Sequence, residues 1–143
     1  MPGDGVTMAA PSTKRVVLVA DDDSSILRVV AMILATKGIK TITAEDGEQA
    51  VERATKQLPD AILLDIRMPK LDGFQVFEKL RADPVTAHIP IAFFTADKDF
   101  GDFRKAQEMG GLLYISKPFK PNTLVDSVQM LLASNRRRRS SDV

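Results

Sequence analysis

Four places along this chain carry groups that could do chemistry together, and each lies at the end of a short apolar run. Asp21-Asp22-Asp23 follows Val16–Ala20, Asp65 follows Ala61–Leu64, Thr95 closes the run that starts at Ile91, and Lys117 stands directly after Leu113–Ser116. Two carboxylates about 4 Å apart repel by roughly 4 kcal/mol at an effective dielectric near 20. If Asp21, Asp22 and Asp65 converge, they therefore need protons or a cation between them. An all-oxygen donor set, no cysteine and a single remote histidine, His88, favour Mg²⁺ or Mn²⁺ over zinc. Mg²⁺ commonly combines one or two carboxylates with a phosphate oxygen, so a phosphoryl group is the expected companion.

Convergence depends on the elements that carry these residues. Val16–Ala20, Thr41–Ala44, Ala61–Leu64, Ile91–Thr95 and Leu113–Ser116 read as strands, and most are continuous apolar runs, the pattern of strands covered on both faces. Between and after them, residues 25–37, 47–57, 73–82, 99–109 and 122–133 have the length and apolar spacing of amphipathic helices. Gly38 and Gly110 stand where a helix end favours a left-handed residue. Strand and helix alternate five times. With right-handed crossovers this gives an α/β fold, a doubly wound five-stranded parallel sheet in a three-layer sandwich, which binds ligands beyond the carboxyl ends of its strands. Those ends carry the acidic residues, Thr95 and Lys117. Helix capping accounts for Asp23 or Ser24, but an aspartate closing Ala-Ile-Leu-Leu has no comparable structural use.

Composition narrows the class further. At 143 residues and 44% hydrophobic content the chain is sized for one core. No apolar stretch approaches the roughly 20 residues that cross a bilayer, and Met1–Thr13 lacks the apolar centre of a secretory signal, so a soluble cytoplasmic protein without membrane contact is expected. The lack of cysteine removes disulfides, thiolate metal sites and thiol nucleophiles. Residues 1–13 read as a disordered leader, 14–134 as the folded domain and 135–143 as a flexible basic tail. The formal charge of +1 is misleading: without the cations and carboxylates of the two ends, Val16–Ser134 holds 14 basic against 17 acidic residues, net −3. Such a body has no broad cationic face for nucleic acid, and Arg136–Arg139 alone would bind it weakly and in a salt-sensitive way.

From Val16 to Leu132 the residues resemble the receiver domains of two-component response regulators, including the stand-alone chemotaxis type. Val17-Leu18-Val19-Ala20-Asp21-Asp22-Asp23 is similar to the family's first strand and acidic pair. Leu63-Leu64-Asp65-Ile66-Arg67-Met68-Pro69-Lys70-Leu71-Asp72-Gly73 is similar to its phosphorylation loop, and Phe94-Thr95-Ala96 and Lys117-Pro118-Phe119 complete the set. The resemblance implies the flavodoxin-like (βα)5 sandwich with strand order 2-1-3-4-5. It makes Asp65 the phosphoacceptor, charged by a histidine kinase or histidine phosphotransfer protein in phosphorelay signalling, in a signalling domain rather than an enzyme. It further implies that Mg²⁺ (or Mn²⁺) is held by Asp22, Asp65 and the backbone carbonyl of Arg67, with Asp21 acting through water. Lys117 and Thr95 would hold the phosphoryl oxygens, and Lys117-Pro118 would be a cis peptide. Thr95 and Tyr114 would form the switch, altering the face of the fourth helix, fifth strand and fifth helix towards a downstream target protein. The expected species is a monomer or a phosphorylation-dependent dimer.

Some residues depart from the family pattern or stand outside it. Gly110-Gly111-Leu112-Leu113 puts an apolar pair beside the expected switch face, where Leu113 is most simply a strand residue and Leu112 packs under the preceding helix. Arg67 and Asp97 occupy positions that tune phosphoryl lifetime in the family and are expected to face each other. His88 is expected in solvent, and Phe100 and Phe103 as core or semi-exposed helix residues. Two other classes share parts of this layout. Aspartyl-phosphate hydrolases place a second aspartate two residues after the nucleophile, where this chain has Arg67. Flavin carriers need a hydroxyl- and glycine-rich loop after the first strand, where this chain has three aspartates.

Overall fold

A computed structural model of the protein describes residues 14–96, 100–111 and 113–135, with Thr95 and Phe100 described by their backbone alone. Five parallel strands form one sheet in the order β2-β1-β3-β4-β5: β1 Val16–Ala20, β2 Lys40–Ala44, β3 Ala61–Leu64, β4 Ile91–Ala96 and β5 Leu113–Lys117. The helices are α1 Ser24–Ala35, α2 Gly47–Gln57, α3 Gly73–Ala82, α4 Phe100–Glu108 and α5 Pro121–Ala133. The alternation and the strand order match the expectation. The bounds move by one residue at several strand ends, and α1 stops two residues early, where Gly38 takes a left-handed φ of 72°.

Apolar strand residues divide between the two faces of the sheet. Leu18, Ala20, Ile62, Leu64, Ile91 and Phe93 pack with Ala50, Ala54, Phe74, Phe77 and Leu80 of α2 and α3, whereas Val17, Val19, Ala61, Leu63, Ala92 and Phe94 pack with Leu27, Val30 and Leu34 of α1 and Leu124, Val128 and Leu131 of α5. Because side chains of a strand point alternately to either face, two covered faces require an unbroken apolar run. Helix starts are fixed by aspartates. Asp23, Asp46 and Asp72 cap α1, α2 and α3, and Asp72 with Gln75 forms a reciprocal capping box.

Register sets the carboxyl edge. Ala20 lies opposite both Ala44 and Leu64, so β1 and β3 release Asp21 and Asp65 at one level. At the opposite edge Asp60 accepts a hydrogen bond from the Val16 amide at 2.8 Å, and Asn135 donates from Nδ2 to the Asp60 carbonyl at 2.9 Å. Asn135, a member of the basic tail on composition, is thus 2% exposed and packed into the fold. Met1–Thr13 and Arg136–Val143 lie outside the described residues. Among the described residues no helix is long and apolar enough to cross a membrane.

Candidate functional site

Asp21 and Asp65 emerge from neighbouring strands with their amides tied back to the sheet: Asp21 N–H donates to Ala44 at 3.0 Å and Asp65 N–H to Ala20 at 2.9 Å. Asp22 follows directly and is exposed, while Asp21 is fully buried and Asp65 is 4% exposed. One carboxylate oxygen from each of the three lies within 4.8 Å of the others. Asp23 stands apart from this group, accepting from the Ser25 amide and hydroxyl as the α1 cap; the hydroxyl bond, then the amide bond, lower its pKa.

Lys117 brings the opposite charge. Its Nζ donates to Asp21 Oδ2 at 2.6 Å, lies 3.7 Å from Asp65 Oδ2 and sits over the Phe94 ring, 5.0 Å from its centroid. The side chain is 19% exposed, so the ammonium is one partly desolvated charge shared by two carboxylates. The Lys117-Pro118 peptide is cis. Burial raises the Asp65 carboxyl to about 6, and the Asp21 carboxylate adds to it. Lys117 and the Arg67 amide pull the other way, and Asp22 raises it again by a smaller amount. An electron-rich pocket that resists ionisation of its own acid is what a hard divalent cation relieves. The donor set of two buried carboxylates and one exposed carboxylate suits Mg²⁺.

The loop from Asp65 to Gly73 is folded tightly. Gly73 N–H donates to the Ile66 carbonyl at 2.8 Å, and a Cβ at Gly73 would overlap the Asp65 carbonyl and the Ile66 Cα. Glycine is therefore required here by the close approach of α3 to the loop, a reason invisible before folding. Arg67 is in place beside Asp65, with its backbone amide turned towards that carboxylate. Its guanidinium donates to Asp102 of α4 at 2.6 Å, whereas Asp97, the expected facing residue, lies outside the described residues. Thr95 sits in β4 level with Ser116 of β5, and its side chain is likewise outside the described part. Tyr114 is half-buried and meets Phe103 of α4 edge-on, with 5.0 Å between ring centroids and 87° between planes. Phe103 and Tyr114, with Ala106, Gln107, Gly111 and Leu113, line a groove of about 200 Å³. Leu113 is in β5 and half-buried, as expected of a strand residue, and Leu112 lies outside the described residues. His88 is half-buried.

Sequence reasoning missed Asp102 and the role of Phe103. An acid in the first turn of a helix reads as a favourable dipole contact, and nothing in its spacing points to Arg67.

A doubly wound parallel sheet whose carboxyl edge gathers three carboxylates and a lysine defines an α/β class with its charged site at the strand ends. The response regulator receiver domain family matches residues 17–129, and the chain belongs to it as a receiver domain of two-component signalling. It is 38% identical over 119 residues to the DNA-binding response regulator MtrA of Mycolicibacterium paratuberculosis, covering 83% of this chain and 52% of that one. Among solved structures, the chemotaxis response regulator CheY4 of Vibrio cholerae is 30% identical with a TM-score of 0.77, covering 83% of this chain and 99% of that one. The receiver domain of the sensor histidine kinase PA1611 of Pseudomonas aeruginosa, with magnesium ion coordinated in its active-site cleft, is 31% identical with a TM-score of 0.78, covering 85% and 99%. The chain spans about half the length of the curated relatives it first matches.

Proposed function

We propose that Asp65 accepts a phosphoryl group from the phosphohistidine of a histidine kinase or histidine phosphotransfer protein, and that the modified domain changes its affinity for a downstream protein. The observation that carries this reading is Lys117 lodged between Asp21 and Asp65 beside the Asp22 carboxylate. A purely structural ion pair would need one acid, not three. In the transfer, Asp65 Oδ forms the new P–O bond as the P–N bond to imidazole breaks, and the imidazole leaves with the electron pair and takes up a proton. Lys117 and the Thr95 hydroxyl contact the phosphoryl oxygens. Asp22, Asp65 and the Arg67 carbonyl would hold Mg²⁺ or Mn²⁺, with Asp21 acting through water, and the ion would supply positive charge to the site.

Asp65 must be ionised to attack. With its carboxyl at about 6, most molecules carry the charge near neutral pH, and a bound cation lowers that value further. The output face comprises α4, β5 and α5, with Thr95 and Tyr114 as the switch that biases a two-state equilibrium. The net −3 of Val16–Ser134 disfavours nucleic acid as the domain's own partner and fits a protein target, with the cytoplasm as the compartment of this reading. The test is incubation with a small phosphodonor and Mg²⁺, followed by intact mass. One added phosphoryl group on the natural chain, absent from Asp65→Asn and from samples with chelator, is the expected result; equal labelling of Asp65→Asn overturns the assignment.

A further inference from the structure

Among the described side chains, α4, like α2 with its buried Gly47, Ala50 and Ala54, places no large apolar residue fully in the core. Of its described side chains only Asp102 and Ala106 are buried, one turn apart on the inward face. By contrast α5 buries Leu124, Val125, Val128, Leu131 and Leu132, and α3 buries Phe74, Val76, Phe77 and Leu80. An alanine contributes little buried area. The other contacts of α4 are polar or peripheral: Lys105 Nζ lies 4.5 Å from the Phe74 ring centroid, and Phe103, 38% exposed, meets Tyr114. The Arg67–Asp102 bond of 2.6 Å joins a side chain 66% exposed to one 12% exposed, and it is the described charged tie between this helix and the loop after Asp65.

Its other end is the loop after Asp65, whose backbone is, among the described residues, clamped towards α2. Towards α2, Gly47 N–H donates to the Pro69 carbonyl at 3.2 Å, Lys70 lies 3.6 Å from Asp46 and 3.7 Å from Glu48, and a Cβ on Gly47 would run into Leu71. Backbone packed against backbone leaves no room to move in that direction. Towards α4 the described tie is the Arg67 side chain, an interaction that can break without a steric penalty.

We propose that Asp102 is a positioning residue whose ion pair with Arg67 restrains α4 against the phosphorylation loop in the free protein, so that occupancy of the Asp65 site is felt by α4 rather than α2. The proposal rests on the reading of Asp65 as phosphoacceptor for its second half alone. An anionic group beside Asp65 competes with Asp102 for the guanidinium two residues away. The pair then weakens, and α4 with its Phe103–Tyr114 contact is released.

Hydrogen exchange of the full chain in chelator tests the restraint. Arg67→Met and Asp102→Asn should each speed exchange of the α4 amides by about fivefold, the scale of one partly buried ion pair, and leave α5 unchanged. The swap Arg67→Asp with Asp102→Arg should restore α4 to within about twofold. If Asp102 served only the helix dipole, Arg67→Met would be silent and the swap worse than either single change, and both results overturn the restraint. Tyr114 is the single tyrosine in a chain without tryptophan, so its emission independently reports the Phe103 contact and should move in both single variants. With Mg²⁺ and beryllofluoride, α4 exchange in the natural chain should rise towards that of the free variants, and Asp102→Asn should bind this probe about two- to fivefold more tightly. Unchanged affinity together with unchanged α4 exchange on loading overturns the coupling. If the natural chain fails to bind the probe, the phosphoacceptor reading fails, and the chelator experiment still decides the restraint.

Discussion

Replacing Asp65 by asparagine should stabilise the metal-free protein at neutral pH and have almost no effect near pH 4. The magnitude follows from the site. The Asp21 and Asp65 carboxylate oxygens lie within 4.8 Å of each other, so at an effective dielectric near 20 Asp21 opposes ionisation of Asp65 by about 3.5 kcal/mol or more, and Lys117 at 3.7 Å favours it by about 4.5 kcal/mol. These contributions nearly cancel, leaving burial as the dominant cause, and the carboxyl rises from about 3.9 in the unfolded chain to about 6. The folded state therefore binds the proton more tightly than the unfolded state. Stability is undiminished below about pH 4, falls as pH rises through 4 to 6, and above 6 carries the whole cost of an ionised buried acid. Two units correspond to about 3 kcal/mol, and water at the exposed Asp22 side reduces this to about 1–3 kcal/mol. Urea denaturation in chelator should show Asp65→Asn more stable by that amount at pH 7.5, with a melting temperature higher by roughly 3–10 °C. A gain of equal size at pH 4 and pH 7.5, or a loss at pH 7.5, would refute the account of the site as a carboxylate pocket under electrostatic stress.

Lys117→Met should do the reverse, destabilising the free protein by about 2–4 kcal/mol at pH 7.5 and by less at pH 4, where Asp65 is protonated and no longer needs the shared counter-charge; denaturation at the two pH values checks it. Gly73→Ala should cost about 2–4 kcal/mol and remove the thermal shift produced by Mg²⁺, since the added methyl displaces the Asp65 carbonyl. Asn135→Ala should cost about 1–3 kcal/mol through the lost bond to the Asp60 carbonyl, yet leave that Mg²⁺ shift intact, because it acts at the far edge of the sheet.

Much of this protein is legible in its residues because strand, turn and helix signals are local. Val16–Ala20 and Ala61–Leu64 are apolar throughout, so two covered faces follow from the run itself, and the aspartates that end these runs have nowhere to point except beyond the sheet edge. Asp46 and Asp72 likewise announce helix starts through a capping geometry that needs only a few neighbouring residues. The tertiary structure alone decided which distant groups share a charge. Lys117 reaches Asp21 and Asp65 because the strand order places β5 on the same carboxyl edge as β1 and β3, and Arg67 meets Asp102, 35 residues away, once α4 has docked. It alone also decided the carboxyl of Asp65, since desolvation depends on atoms brought from three strands, and the requirement for glycine at position 73, which arises from the approach of a helix to a backbone carbonyl. Periodicity and composition encode what a residue does to its own segment; distance and dielectric between segments exist only once the sheet has closed.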